Sequence, residues 1–167
     1  RLFQLIAVGA LAVAVQAAVL HVPAEYPTIQ AALNAAGSTG DEIIVAPGTY
    51  AEVISFVGKA VYLHSSGGAA VTTLDGTGQN WSVVTCASGE GRGTVLQGFT
   101  ITGGASSDMG GGMYNSGSRP TVINCTFSQN SATGDHAAGG GMYNRGSSPT
   151  LTDCILWGDS PNEVQTD

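Results

Sequence analysis

The sequence predicts an all-β fold: a parallel β-helix solenoid of stacked coils, with a short capping helix at its N-terminal end. Three observations predict it. First, Gly110-Gly111-Gly112-Met113-Tyr114-Asn115 recurs as Gly139-Gly140-Gly141-Met142-Tyr143-Asn144, an offset of 139 − 110 = 29 residues. The same offset links Pro120 to Pro149, Thr121 to Thr150 and Cys125 to Cys154. Second, the apolar runs are short and β-branched, as in Ile43-Ile44-Val45 and Thr121-Val122-Ile123, and turn-forming residues bound them. Third, 25 glycines and only 10% charged residues disfavour a helical bundle, while 43% hydrophobic content is too high for a disordered chain. No stretch of the repeat carries helical periodicity over ten residues, which excludes helical solenoids, and the leucine scaffold of leucine-rich repeats is missing. A propeller blade needs about 40 residues and four antiparallel strands.

Taken in order, the chain opens with an apolar run, Leu2 to Val15, broken only by Gln4 and followed by the small residues Ala17 and Ala18. That pattern reads as a signal peptide over residues 1–18, lacking its initiator Met, and is too short for a comfortable membrane span. The solenoid then occupies residues 19–167. Residues 26–36 read as an amphipathic helix: Ile29, Ala32, Leu33 and Ala36 share a face, Pro27 or Thr28 begins it and Gly37 ends it. Such a helix covers the open apolar end that a solenoid otherwise exposes. Strands are expected over 41–50, 53–56, 60–64, 72–75 and 81–86. The weaker repeat Val95 to Gly104 follows, and then the two strong ones.

Within the strong repeats, alternation places Ile123, Cys125 and Phe127 on one face. Thr152, Cys154 and Leu156 are the expected counterparts in the next coil. Phe99 and Ile101 of the coil before align with Cys125 and Phe127. The expected structural ladder is therefore Phe99, Ile101, Cys125, Phe127, Cys154 and Leu156, with rungs about 4.8 Å apart. Asn115 and Asn144 are expected to form an amide ladder at a turn. Of the pairs Tyr114/Tyr143 and Met113/Met142, either could face inward. Three cysteines without a CxxC pair fit neither a disulfide framework nor a metal site, so Cys125 and Cys154 read as small buried hydrophobes. The last residues, 159–167, offer no polar cap, and further coils are expected beyond them.

The net charge of −7 and the scattered arginines Arg1, Arg92, Arg119 and Arg145 argue against nucleic acid and against a basic membrane contact.

On these residues, two stretches resemble known families. YPTIQAALNAAGSTGDEIIVAPGTYAEVISF is similar to the N-terminal cap and first coil of the pectin lyase-like superfamily. GGGMYNSGSRPTVINCTFSQNSA resembles the repeats of bacterial surface proteins of the polymorphic outer-membrane type, with Gly111-Gly112-Met113 and Phe127-Ser128-Gln129-Asn130 as the matching motifs. The second repeat departs there, carrying Leu156-Trp157-Gly158-Asp159. The resemblance implies a right-handed parallel β-helix, a secreted or cell-surface location in a bacterial envelope, and an adhesin-like or scaffold role without catalysis. Its alternative is a polysaccharide-active enzyme or carbohydrate-binding module.

The enzymatic alternative requires a constellation. No Asp-Asp pair or His-Gly motif of the polygalacturonase kind exists, and His21, His64 and His136 stand apart. No catalytic or cofactor-binding residue is therefore assigned. An outer-face line of Asp75, Asp108, Asp135 and Asp159 is the best site that can be assembled. Within it, Asp108 and Asp135 are the metal candidates, for Ca²⁺, which needs six to eight oxygen ligands. Turn aspartates that simply solvate or cap their loops are the simpler reading. Trp81 and Trp157 read as packing residues that could alternatively stack on sugar rings. The expected partner is a surface ligand or polysaccharide.

Overall fold

The computed structural model describes residues 16–107, 109–134 and 138–167. It is a β-solenoid of about six turns whose sheets are all parallel, with one short helix. The chain enters through β1 (Val19–Val22) and α1 (Ile29–Ala35). The first coil holds β2 (Thr39–Val45), β3 (Gly48–Tyr50) and β4 (Ile54–Ser55), and the second β5 (Ala60–Ser65), β6 (Thr72–Asp75) and β7 (Val84–Cys86). The third holds β8 (Val95–Gln97), β9 (Thr100–Thr102), β10 (Ala105–Ser106) and β11 (Met113–Ser116). The fourth repeats that plan as β12 (Thr121–Ile123), β13 (Thr126–Ser128), β14 (Ser131–Ala132) and β15 (Met142–Arg145). The fifth holds β16 (Thr150–Thr152), β17 (Ile155–Trp157) and β18 (Val164–Thr166).

Stacking produces three walls. Sheet 1 runs β1-β2-β5-β8-β12-β16, sheet 2 runs β3-β6-β9-β13-β17, and sheet 3 runs β4-β7-β11-β15-β18. Strands β10 and β14 pair separately at a corner. Each wall contributes an inward column. In sheet 1 it is Leu20, Ile43, Leu63, Leu96, Val122 and Leu151. In sheet 2, Tyr50, Leu74, Ile101, Phe127 and Leu156 stand in register. In sheet 3 the column is Ile54, Val84, Met113, Met142 and Val164. Leu63, Leu74, Leu96, Ile101, Phe127, Met113 and Met142 are all fully buried, and each contributes roughly 1.5–3 kcal/mol by leaving water.

The expected single face of Ile123, Cys125 and Phe127 is corrected by a corner. Asn124 adopts φ 49°, and the equivalent residues Gly98 and Asp153 adopt 77° and 52°. One residue in the left-handed region turns the chain and resets the alternation. Val122, not Ile123, therefore points inward with Cys125 and Phe127, and Leu151 rather than Thr152 occupies the next coil's position. Glycine, asparagine and aspartate are the residues that tolerate such a φ. A second corner, after sheet 2, repeats the device at Gly103, Gln129 and Gly158, with φ of 69°, 58° and 73°.

The coils are also less uniform than the repeat implies. Glu42, Tyr62, Val95, Thr121 and Thr150 lie in one column. Successive turns of sheet 1 thus take 20, 33, 26 and 29 residues (62 − 42, 95 − 62, 121 − 95, 150 − 121). The offset of 29 is a property of the fourth coil, not of the molecule.

The remaining elements follow expectation with local changes. Thr28 caps α1, its Oγ1 accepting from Ala31 N at 3.1 Å, and Ile29, Ala32 and Leu33 are fully buried. The 41–50 strand breaks at Ala46-Pro47 into β2 and β3, since proline has no N–H for a ladder. Strand β1 precedes the helix and pairs with β2, an extra rung that the sequence reading did not assign. The leader assignment, residues 1–18, falls largely outside the described residues.

Asn115 and Asn144 form their ladder, Asn115 Nδ2 donating to Asn144 Oδ1 at 2.9 Å, but within β11 and β15 rather than at a turn. Both are buried. Met113 and Met142 face inward with them, which sends Tyr114 outside.

The triple glycines have a steric cause. Gly110 and Gly139 adopt φ of 61° and 60°. A Cβ on Gly112 would stand 2.9 Å from Asn130 Nδ2, and one on Gly141 2.5 Å from Asp159 Oδ2. In each case a polar side chain of the following coil fills the space that a side chain would need.

Candidate ligand-binding face

The outer surface of sheet 3 carries the residues that alternate with its inward column. Thr85, Tyr114, Tyr143 and Gln165 lie in register there. The rings of Tyr114 and Tyr143 stack with centroids 6.0 Å apart and planes 6° from parallel. This geometry follows from identical side chains one rung apart, and it is the offset arrangement that aromatic pairs prefer. Tyr143 is buried and its hydroxyl donates to Asp167 Oδ2 at 2.8 Å, a bond that raises its phenol above the ordinary value. Tyr114 is half-buried and open to one side.

That open side is a cleft of about 290 Å³, lined by Trp81, Ser82, Thr85, Ser106, Met109 and Tyr114. Trp81 sits in the turn before β7, after Asn80 with φ 56°, and is 70% exposed. It was expected in a strand and in packing, and it is in neither. The facing wall is the segment after β10. Ser82 Oγ donates to Met109 O at 3.2 Å, and Met109 N donates to Ser106 Oγ at 3.1 Å. These bonds hold the wall against the floor, so the cleft is preformed. Among the described residues that line it none is charged. A volume near the lower end of small-ligand sites, walled by an indole and a phenol with hydroxyls between, suits one ring of a neutral, hydroxyl-rich ligand.

A second outward group lies on sheet 1. His64 Nε2 stands 2.8 Å from Glu42 Oε1, and the imidazole stacks on Tyr62 at 4.5 Å. The Tyr62 hydroxyl donates to Gln97 Oε1 at 3.0 Å. These contacts run from Glu42 through His64 and Tyr62 to Gln97 and tie the first three coils together on the outside.

The residues singled out from sequence are distributed differently from expectation. Asp108 and Asp135, the metal candidates, and His136 lie outside the described residues. Among the described residues no three His, Cys, Asp or Glu side chains are grouped to hold a metal ion. Asp75 caps its own turn, accepting from Thr77 N at 2.9 Å, and Thr77's side chain and backbone hold its carboxyl below the usual value. Asp159 is 8% exposed and bonded to Asn130, so it stands buried at a corner and not on the outer face expected for it. Trp157 is 72% exposed, so it too is no packing residue.

Cys125 and Cys154 are free thiols in adjacent coils, not a disulfide. The Cys125 thiol donates to Ile123 O at 3.3 Å, and burial pushes it up to about 12, so it is inert. Phe99 and Ile101 belong to the buried core alongside Phe127, with Leu156 packed against it.

One polar residue was missed altogether. Glu90 is 1% exposed and accepts from Gly58 N, Ser88 N and Ser118 Oγ, each at 2.8 Å. Desolvation pushes its carboxyl upward, but these donors outweigh it and the group sits below its ordinary value. The signal in the sequence is an acid isolated in the Gly/Ser-rich turn Ser88-Gly89-Glu90-Gly91, where no solvated role requires one.

Searches against protein-family models and against curated proteins find no match for the chain. No helix among the described residues is long and apolar enough to cross a membrane.

Proposed function

We propose that this chain is an exported, non-enzymatic β-solenoid that binds carbohydrate on the outer face of sheet 3, in the manner of a surface adhesin. The observation that carries the reading is Trp81, 70% exposed and set beside Tyr114 over a cleft whose described lining residues carry no charge. Trp81 and Tyr114 line one concavity together, and aromatic side chains gathered at a cleft with a few hydroxyls are what a small-ligand site is built from. A sugar ring offers an apolar face for the indole and hydroxyls for Ser82, Thr85 and Ser106. Rungs about 4.8 Å apart run up the same wall, so an extended glycan can lie along it with successive units meeting successive coils. The apolar leader-like residues 2–15 support export, and the polymorphic outer-membrane-type repeats support a bacterial surface location.

The test is isothermal titration of the whole chain with neutral and acidic polysaccharides. Binding to a neutral glycan, weakened at least tenfold (about 1.4 kcal/mol) in Trp81→Ala and in Tyr114→Phe, is expected. Because Trp81 makes little of the fold, its variant should melt with the parent. Equal affinity in parent and Trp81→Ala would overturn the assignment. The alternative, a polysaccharide-cleaving enzyme, has one observation in its favour, the His64–Glu42 pair. Cleavage of any glycan that is lost in His64→Gln would establish it instead.

A further inference from the structure

Asn130 and Asp159 occupy the same corner of successive coils, 29 residues apart. Asn130 is satisfied on every side. Its Oδ1 accepts from Gly104 N at 3.0 Å, and its Nδ2 donates to Ile101 O and to Asp159 Oδ1, each at 3.0 Å. Its backbone N–H donates to the same Asp159 Oδ1 at 2.7 Å. Asp159 differs at one atom. Its Oδ2 is buried without a hydrogen-bond partner, pressed against Gly141 where Asn130 Nδ2 is pressed against Gly112. An acceptor thus stands where the coil below presents a donor.

The same corner carries a second acid. Glu163 accepts from Gly158 N at 3.0 Å and from Asp159 N at 3.4 Å, which folds its carboxylate back over the corner. Among the described residues Glu163 is the ionisable group that faces Asp159. The segments packed beneath, Asn130–Ala132 and Gly139–Met142, carry none. Two neighbouring carboxylates, one of them buried, repel each other, and a proton on Asp159 relieves both that repulsion and the cost of an unpartnered buried charge.

We propose that the buried Asp159 carboxyl holds a proton beside Glu163, and that this proton latches the coil Thr150–Thr166 onto the coil beneath it. The latch is closed in mildly acidic conditions and released toward neutrality. Burial first, and Glu163 with it, raises the Asp159 carboxyl to about 6 against the opposing pull of Asn130's donors. A folded value above the unfolded 3.8 means that the folded coil binds the extra proton. Its stabilisation is complete below the unfolded value and is lost as pH rises through the folded one.

Amide hydrogen exchange on the whole chain between pH 3.5 and 7.5, corrected for intrinsic rates, reads the latch directly. Protection of Thr150–Thr166 relative to β5, β6 and β8 should fall by up to about tenfold per pH unit across the window, then level off above about pH 6. In Asp159→Asn the amide supplies the donor permanently, as Asn130 does, and the slope should disappear with protection high throughout. Glu163→Gln should retain a slope but shift it to lower pH, which tests the pair even if Asp159→Asn folds poorly. A flat profile in the parent, or an Asp159→Asn profile that tracks the parent, would overturn the proposal. So would protection restored at pH 7.5 by 1 mM CaCl₂ with no response to acid, since the corner would then hold a cation rather than a proton.

Discussion

At the scale of single residues, the solenoid is decided by what each corner tolerates. Gly98, Asn124 and Asp153 share one positive-φ column, and Gly110 and Gly139 share another. The amide and the carboxylate that cover Gly112 and Gly141 leave no space for a methyl group. Gly141→Ala should therefore lower the melting temperature sharply, by the 1–3 kcal/mol typical of overpacking or more, measured by thermal or urea unfolding. Gly117→Ala, whose Cβ would meet nothing, should cost less, through backbone strain alone. Cys125→Ser follows a different course from the one its sequence position implies. A buried serine normally costs 1–3 kcal/mol for an unsatisfied hydroxyl. Here Ile123 O already accepts from the thiol, and Leu96 O lies 3.8 Å away. The hydroxyl inherits that acceptor, and the expected loss is about 1 kcal/mol or less. A loss near 3 kcal/mol would show that the sulfur's bulk, not its hydrogen bond, matters at this site.

At the scale of elements, the helix shows how a short segment is made to hold. Seven residues are too few for an isolated helix. Both of its ends are instead tied to the first coil. Glu52 accepts from Ile29 N at 2.9 Å and Gln30 N at 3.0 Å at the start of the helix. Lys59 donates to Leu33 O at 2.7 Å, and to Asn34 O and Ala36 O at 2.8 Å each, at its end. An acid at the N-terminus and a base at the C-terminus also match the helix dipole. Lys59→Met keeps the aliphatic stem but removes all three bonds. It should cost roughly 1.5–3 kcal/mol and raise exchange at α1 ahead of the sheets. Uniform exchange across α1 and sheet 1 would mean that the cap and the coil unfold together. The helix itself was legible from Ile29, Ala32, Leu33 and Ala36, because apolar spacing is local. Its lysine clamp was not legible, since residue 59 is distant in sequence and nothing near it signals a helix end. The same limit explains the corners: alternation was read straight through Asn124, and a single left-handed residue leaves no periodic trace. The cleft was hidden for a related reason. Trp81, Met109 and Tyr114 come from two coils of unequal length, and no fixed offset brings them together.

At the scale of the whole molecule, stability is carried by columns that cross every coil, and charge enters at few points. Glu90 is the one that spans most, bonding Gly58, Ser88 and Ser118 from three coils. Its folded value lies below the ordinary 4.5, so its contribution is present above that value and is lost as pH falls through the folded one. Glu90→Gln replaces one acceptor oxygen by a donor, set opposite either Gly58 N or Ser88 N and the Ser118 hydroxyl. It should lower stability at neutral pH by about 1–3 kcal/mol and reduce the loss on acidification below pH 4.5, as followed by urea midpoints. A Glu90→Gln chain that loses as much stability between pH 7 and pH 3 as the parent does would remove this role. The acid dependence expected here is opposite in sign to that of the Asp159 corner, so different corners of the molecule should loosen at opposite ends of the pH scale.

The unequal coils carry a consequence for how such a chain can change. In a heptad bundle, one inserted residue rotates every contact downstream of it. In this molecule turns of 20, 33, 26 and 29 residues (62 − 42, 95 − 62, 121 − 95, 150 − 121) all return to the same column. Registry is restored at each pass, so the cost of lengthening a loop stays where the loop is. The exposed tip Gly78 to Asn80 is thus a place where foreign peptide can be spliced in with the storeys above and below undisturbed, and the rim of the cleft can be remodelled one loop at a time while the spool stays as it is.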